Sequence, residues 1–153
     1  MHYNVKYIMY NYAIIKGGCL MNRKQEREQA FIMVFEKMFR EESMEEIFDC
    51  AIEARDYSEN AYVREVSIGV YDHIEEIDSY ISKNSKGWSI TRISKVALSC
   101  MRIAIYEMLY KEDIPVSVSI NEAVELIKNY ATEKDSAFAN GIMGTIAQEL
   151  DCK

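Results

Sequence analysis

Ile93–Leu109, ISKVALSCMRIAIYEML, is the stretch that decides the fold. Ile93, Val96, Ala97, Cys100, Met101, Ala104, Ile105, Met108 and Leu109 recur at intervals of three and four, the period of an α-helix with a buried face. Both flanks of the stripe are apolar or small as well, which predicts a helix at the centre of a core. Asp113-Ile114-Pro115 ends it, because Pro115 has no N–H to donate and restricts the residue before it.

Outward from this helix, the same period recurs in both directions. Ahead of it, Ala30, Phe31, Val34, Phe35 and Met38 form one stripe, preceded by Arg23, Lys24 and Arg27. Ser43-Met44-Glu45-Glu46 is a capping box, predicting a helix through Ile47, Cys50, Ala51 and Ala54. Val63, Val66, Val70, Ile74 and Ile77 predict one helix from about Glu59 to Ile81, closed by the loop Asn84-Ser85-Lys86-Gly87. Behind Pro115, Ser119-Ile120-Asn121-Glu122 reads as a second capping box opening a helix through Tyr130. Asp135-Ser136 then caps a last helix carrying Phe138, Ile142, Ile146 and Leu150. The expectation is a single compact all-α bundle of about six to seven helices.

Composition agrees. The 153 residues are one domain's length, 49% of them hydrophobic, and the 6 Gly and 1 Pro are too few for a sandwich or barrel. The four cysteines (Cys19, Cys50, Cys100, Cys152) have no metal-ligand spacing, and neither His2 nor His73 lies near one. Neither a metal site nor a disulfide framework is expected, which favours a reducing cytoplasm. Cys100 reads as a small buried hydrophobe. The net charge of −7 opposes nucleic-acid binding unless positive charge is local. It is segregated: residues 36–60 hold nine acids against three bases, leaving the remainder near neutral.

Residues 1–20 differ from all that follows. They are rich in Tyr and Asn, carry no acid and sustain no helical period. They fit neither a signal peptide nor a membrane span, since Asn11 and Tyr12 interrupt the apolar run. Lys16-Gly17-Gly18 ahead of Met21 can be encoded by a purine-rich run with a short spacer, as a translated ribosome-binding site would be. The expectation is that Met21 is the start and 1–20 a doubtful extension; a real tail is the alternative. The domain proper is residues 21–153.

Chemistry-bearing constellations are absent. His73 is the single histidine outside residues 1–20, so no Ser-His-Asp or Cys-His set exists there. Glu45-Glu46 and Glu75-Glu76 are adjacent pairs, which point in different directions on a helix. No phosphate- or dinucleotide-binding glycine loop is present. The chain reads as a non-enzyme with no cofactor.

Several ordered motifs resemble those of the NusB family: Trp88…Arg92, Met101-Arg102-Ile103-Ala104-Ile105-Tyr106-Glu107, Asp113-Ile114-Pro115, Ile120 to Lys128, and Phe138 to Met143. Arg23-Lys24…Arg27-Glu28-Gln29-Ala30 is similar to the family's arginine-rich first helix, though Glu26 and Glu28 interleave it. The likeness spans about Met21 to Leu150. It implies a helical fold and an RNA-binding role in transcription antitermination. Members partner NusE, a small-subunit ribosomal protein, on the single-stranded boxA element of ribosomal RNA transcripts, within the RNA polymerase antitermination complex.

The resemblance also implies RNA contacts at Arg23, Lys24, Arg27, Phe35, Tyr130, Lys134 and Phe138. Five of them have a plainer reading. Arg23, Lys24 and Arg27 could form a solvated face, although cations oppose the dipole of a helix start and so suit a phosphate partner. Tyr130, Phe35 and Phe138 offer stacking platforms for unpaired bases, with burial in the core as the alternative for both phenylalanines. Trp88 and Arg92 read as anchors of the central helix, and Gly141 as a close packing approach. A helical protein-binding adaptor without direct RNA contact is the rival function. Monomer and homodimer are equally open.

Overall fold

The computed structural model describes residues 21–55 and 60–151. Among them are seven α-helices: α1 (Arg23–Lys37), α2 (Met44–Arg55), α3 (Ala61–Asp72), α4 (Ile74–Asn84), α5 (Lys95–Tyr110), α6 (Val116–Tyr130) and α7 (Glu133–Asp151). A 3-10 turn, Ile90–Arg92, precedes α5, and no strand occurs among the described residues. The residues 1–20, Asp56 and Glu59 lie outside the described residues.

The helix of the opening stretch is α5, and every residue from Val96 to Glu107 is buried. It packs against α1, α3, α4, α6 and α7, the central position its period predicts. Cys100 is buried in it, and burial raises its thiol pKa well above the ordinary value, as suits an inert core residue. Helix α1 is almost as enclosed, with Gln29 to Phe35 all buried. Asn22 starts it by accepting from the Gln25 N–H at 3.0 Å, while Gln25 Oε1 accepts from the Asn22 N–H at 2.9 Å. The Ser43 capping box forms as expected: the Ser43 N–H donates to Glu46 at 2.8 Å and the Glu46 N–H to Ser43 Oγ at 3.2 Å. On α2, Ile47, Phe48 and Ala51 face inward, whereas Cys50 is exposed and not part of the stripe.

Three local expectations are corrected. The helix predicted over Glu59–Ile81 is two helices that meet at His73, whose backbone (φ −111°, ψ 21°) leaves the helical region. The apolar positions stay in phase across the break, so periodicity alone cannot register it. Ser119 caps nothing: α6 starts directly after Pro115, whose fixed φ suits a helix start, and the Ser119 N–H bonds back to the Pro115 carbonyl at 3.2 Å. The cap of α7 is Thr132, three residues ahead of the predicted one, with Asp135 closing the reciprocal pair at 3.2 Å to the Thr132 N–H.

Glycine placement also differs. Gly141 is exposed, and a Cβ there meets nothing within 4 Å, so no close approach requires it. The close approach is at Gly69, where a Cβ would stand 2.3 Å from the Tyr106 ring, so α3 lies against α5 through a missing side chain. Gly141→Ala is therefore expected to raise stability by about 0.5–1 kcal/mol, from helix propensity alone. A lower urea midpoint for this variant would refute the reading.

Candidate nucleic-acid interface

The basic residues at the start of α1 divide between two environments, because neighbours on a helix three and four apart share a face and others do not. Arg27 points inward and is 5% exposed. Its Nε donates to Glu107 Oε1 at 2.9 Å, and Glu107 is fully buried. Tyr62 donates its hydroxyl to the same carboxylate oxygen, and Ser119 donates to Oε2 at 2.5 Å. One carboxylate on α5 thereby gathers donors from α1, α3 and α6. Burial, then the Glu107 charge, raises the Tyr62 pKa, which keeps the phenol protonated as a donor. Arg27 is therefore corrected from an exposed basic contact to a buried ion pair that seats α1.

Arg23 and Lys24 reach the surface. The Arg23 guanidinium lies over the Tyr62 ring, 4.3 Å from its centroid, and pairs with Glu26 at 2.9 Å. Asn60 holds Glu26 in turn, donating to Oε1 at 2.9 Å. Lys24 is exposed and carries no ion pair among the described residues.

On the next face of α1, Glu28 accepts from the Tyr130 hydroxyl at 2.5 Å. Lys24 lies one turn before Glu28, so this bond sets the end of α6 beside the exposed lysine. The Tyr130 ring rests on Phe31, with centroids 5.1 Å apart, and Tyr130 stays half-buried. Lys134 follows in the first turn of α7, exposed, and Phe138 is one further turn along the same face, half-buried. Thus Lys24, Tyr130, Lys134 and Phe138 trace one path from α1 onto α7. Phe35 is not on it. At 2% exposure it is packed between Phe31 and Phe39, centroids 5.8 Å and 5.1 Å away, and belongs to the core.

Trp88 does not anchor the core. It is 54% exposed, with its ring 6.2 Å from that of Phe138, and the cap of α5 is supplied by Ser94, which accepts from the Ala97 N–H at 3.4 Å. Arg92 is exposed. Sequence reasoning also missed Glu107 and Tyr62, since neither spacing nor residue type marks a carboxylate that three distant helices will enclose. Among the described residues, no group of three or more His, Cys, Asp or Glu could hold a metal ion, and no helix is long and apolar enough to cross a membrane.

Comparison with known proteins gives concordant matches. The profile of the NusB family matches residues 24–148. A transcription antitermination protein NusB from Acetivibrio thermocellus is 45% identical over 130 residues, covering 84% of this chain and 90% of the relative. Among solved structures, T. maritima NusB superposes with a TM-score of 0.76 at 35% identity, covering 86% of this chain and 94% of that one. Antitermination factors NusB and NusE in complex with double-stranded RNA provide a further match, with a TM-score of 0.72 at 29% identity, covering 83% and 96%.

Proposed function

The chain belongs to the NusB family, a non-enzymatic family of transcription antitermination factors, and from that premise we propose that it binds single-stranded boxA-type RNA together with NusE during transcription of ribosomal RNA. The Tyr130–Glu28 hydrogen bond carries the reading, because it makes one surface from two segments about a hundred residues apart in sequence. Along that surface, Lys24 and Lys134 supply free cations for phosphates, and Tyr130 and Phe138 supply ring faces for unstacked bases. Arg23, held by Tyr62 and Glu26, adds a preset guanidinium at the edge. The neighbouring structure of NusB and NusE in complex with double-stranded RNA supports NusE and RNA as partners, while the single-stranded form is the proposal's own.

The test is a titration of fluorescein-labelled boxA-type single-stranded RNA with the chain, with and without NusE, over a salt series. Affinity should rise with NusE and fall with salt. Lys24→Ala and Lys134→Ala should each weaken binding about three- to tenfold and reduce the slope of log affinity against log salt by about 0.7, the value for one phosphate contact on a single strand. Binding of NusE with no RNA binding at any salt would overturn the reading in favour of a protein adaptor.

A further inference from the structure

We propose that the loop joining α4 to α5 is a second RNA-contact surface, with Trp88 as a stacking platform for an unpaired base and Lys86 and Arg92 as phosphate contacts. The inference rests on the RNA-binding reading and extends it beyond the residues that reading uses.

The first observation is charge. Between Asp78 and Glu107 the sequence carries Lys83, Lys86, Arg92, Lys95 and Arg102 and no acidic residue, in a chain whose net charge is −7. Two of these five cations are neutralised: Lys83 by Glu149 at 3.2 Å, and Arg102 by Asp78 at 2.8 Å. Lys86, Arg92 and Lys95 are exposed and carry no ion pair among the described residues. Uncompensated positive charge on an acidic protein is the electrostatic footprint of a polyanion.

The second is the indole. More than half exposed, it presents a ring face on which an unpaired base can stack. Its backbone is fixed in place. The Trp88 N–H donates to the Ser85 carbonyl at 3.1 Å, and the Ser85 hydroxyl donates to the Trp88 carbonyl at 2.6 Å. Gly87 closes that turn at φ +84°, a conformation that glycine adopts without strain. The Trp88 backbone is thus held, so stacking has to order only the two side-chain torsions of the indole.

The third is continuity. Phe138, the last residue of the path along α7, is the aromatic neighbour of Trp88, so an RNA strand leaving Lys134 and Phe138 meets the indole next and then the cations beside it. Stacking on aromatic rings flanked by phosphate-binding cations is the chemistry of single-strand recognition.

Trp88 is the single tryptophan of the chain, so intrinsic fluorescence excited at the indole band reports on this residue alone. Titrating the full chain with boxA-type single-stranded RNA should quench that fluorescence along the same curve that labelled RNA gives by anisotropy. Trp88→Ala should weaken RNA binding about tenfold, Trp88→Phe should recover most of the loss, and Arg92→Ala should lower the salt slope by about 0.7. The thermal midpoint of each variant should stay near that of the parent, because Trp88 and Arg92 are exposed. RNA binding with unchanged fluorescence and an unaffected Trp88→Ala variant would overturn this proposal and leave the proposed function standing. Quenching by NusE alone, with no further change on adding RNA, would assign the loop to a protein partner and overturn it as well. Failure of the parent chain to bind RNA at low salt, with and without NusE, would overturn both.

Discussion

Glu107→Ala should destabilise the protein by about 3–5 kcal/mol, measured as a lowered urea midpoint at neutral pH with an unchanged slope. The substitution removes a fully buried carboxylate and leaves the Arg27 guanidinium, 5% exposed, with its charge inside the core and no counter-charge. The Tyr62 and Ser119 hydroxyls lose their acceptor at the same time. The loss of partners, more than the gain from the pair itself, sets the size of the effect, since forming a buried ion pair only roughly offsets the cost of desolvating it. Arg27→Met combined with Glu107→Leu should accordingly cost less than the sum of the single changes. A loss below about 1 kcal/mol for Glu107→Ala would mean that water reaches the site. The same pairing bears on the RNA assay. Arg27→Ala will weaken RNA binding through the seating of α1, and circular dichroism of the variant should reveal the destabilisation that Lys24→Ala lacks.

Phe31→Ala should have a similar cost, about 3–5 kcal/mol, with a fall in thermal midpoint of roughly 10 °C. Phe31 is wholly buried on α1 and touches the rings of Phe35 and Tyr130. Its removal leaves a cavity between α1 and the end of α6 that rigid helices fill poorly. It also withdraws the support beneath Tyr130, so RNA affinity should fall even where the variant remains folded. Retained affinity at a temperature well below the midpoint would show that Tyr130 holds its position through Glu28 alone.

The elements that sequence made legible are those whose information is local. The stripe of α5 and the Ser43 capping box each depend on residues within a turn or two, and each stands where periodicity or capping chemistry put it, whereas α5 ends at Tyr110, ahead of the predicted stop at Asp113-Ile114-Pro115. The errors share a different cause. His73 breaks a helix without disturbing the phase of its apolar stripe, and Ser119 has the sequence of a cap but the role of a donor to Glu107. Gly141 looked like the packing glycine, while Gly69 is the one beneath a tyrosine ring. In each case the deciding partner lies on another helix, where spacing along the chain carries no trace of it. The candidate site follows the same rule. Lys24 and Lys134 are exposed as their types suggest, but Arg27 was indistinguishable from them until Glu107 was seen beside it.

The separation of charge has a consequence for kinetics. Acidic residues crowd α2, where Glu45, Glu46, Asp49 and Glu53 are exposed, and α2 packs on α1 and α3. Cations without an ion pair among the described residues include Lys24 on α1, Lys134 on α7 between Glu133 and Asp135, and Lys86, Arg92 and Lys95 around the start of α5. In the proposed complex the exposed acids of α2 would repel an approaching nucleic acid strand while the unpaired cations draw it, so that collisions are biased toward the productive orientation. Neutralising the acids of α2 would leave the proposed RNA contacts intact, yet it would remove part of that bias, and the expected change is in how often encounters succeed rather than in how long the complex lasts.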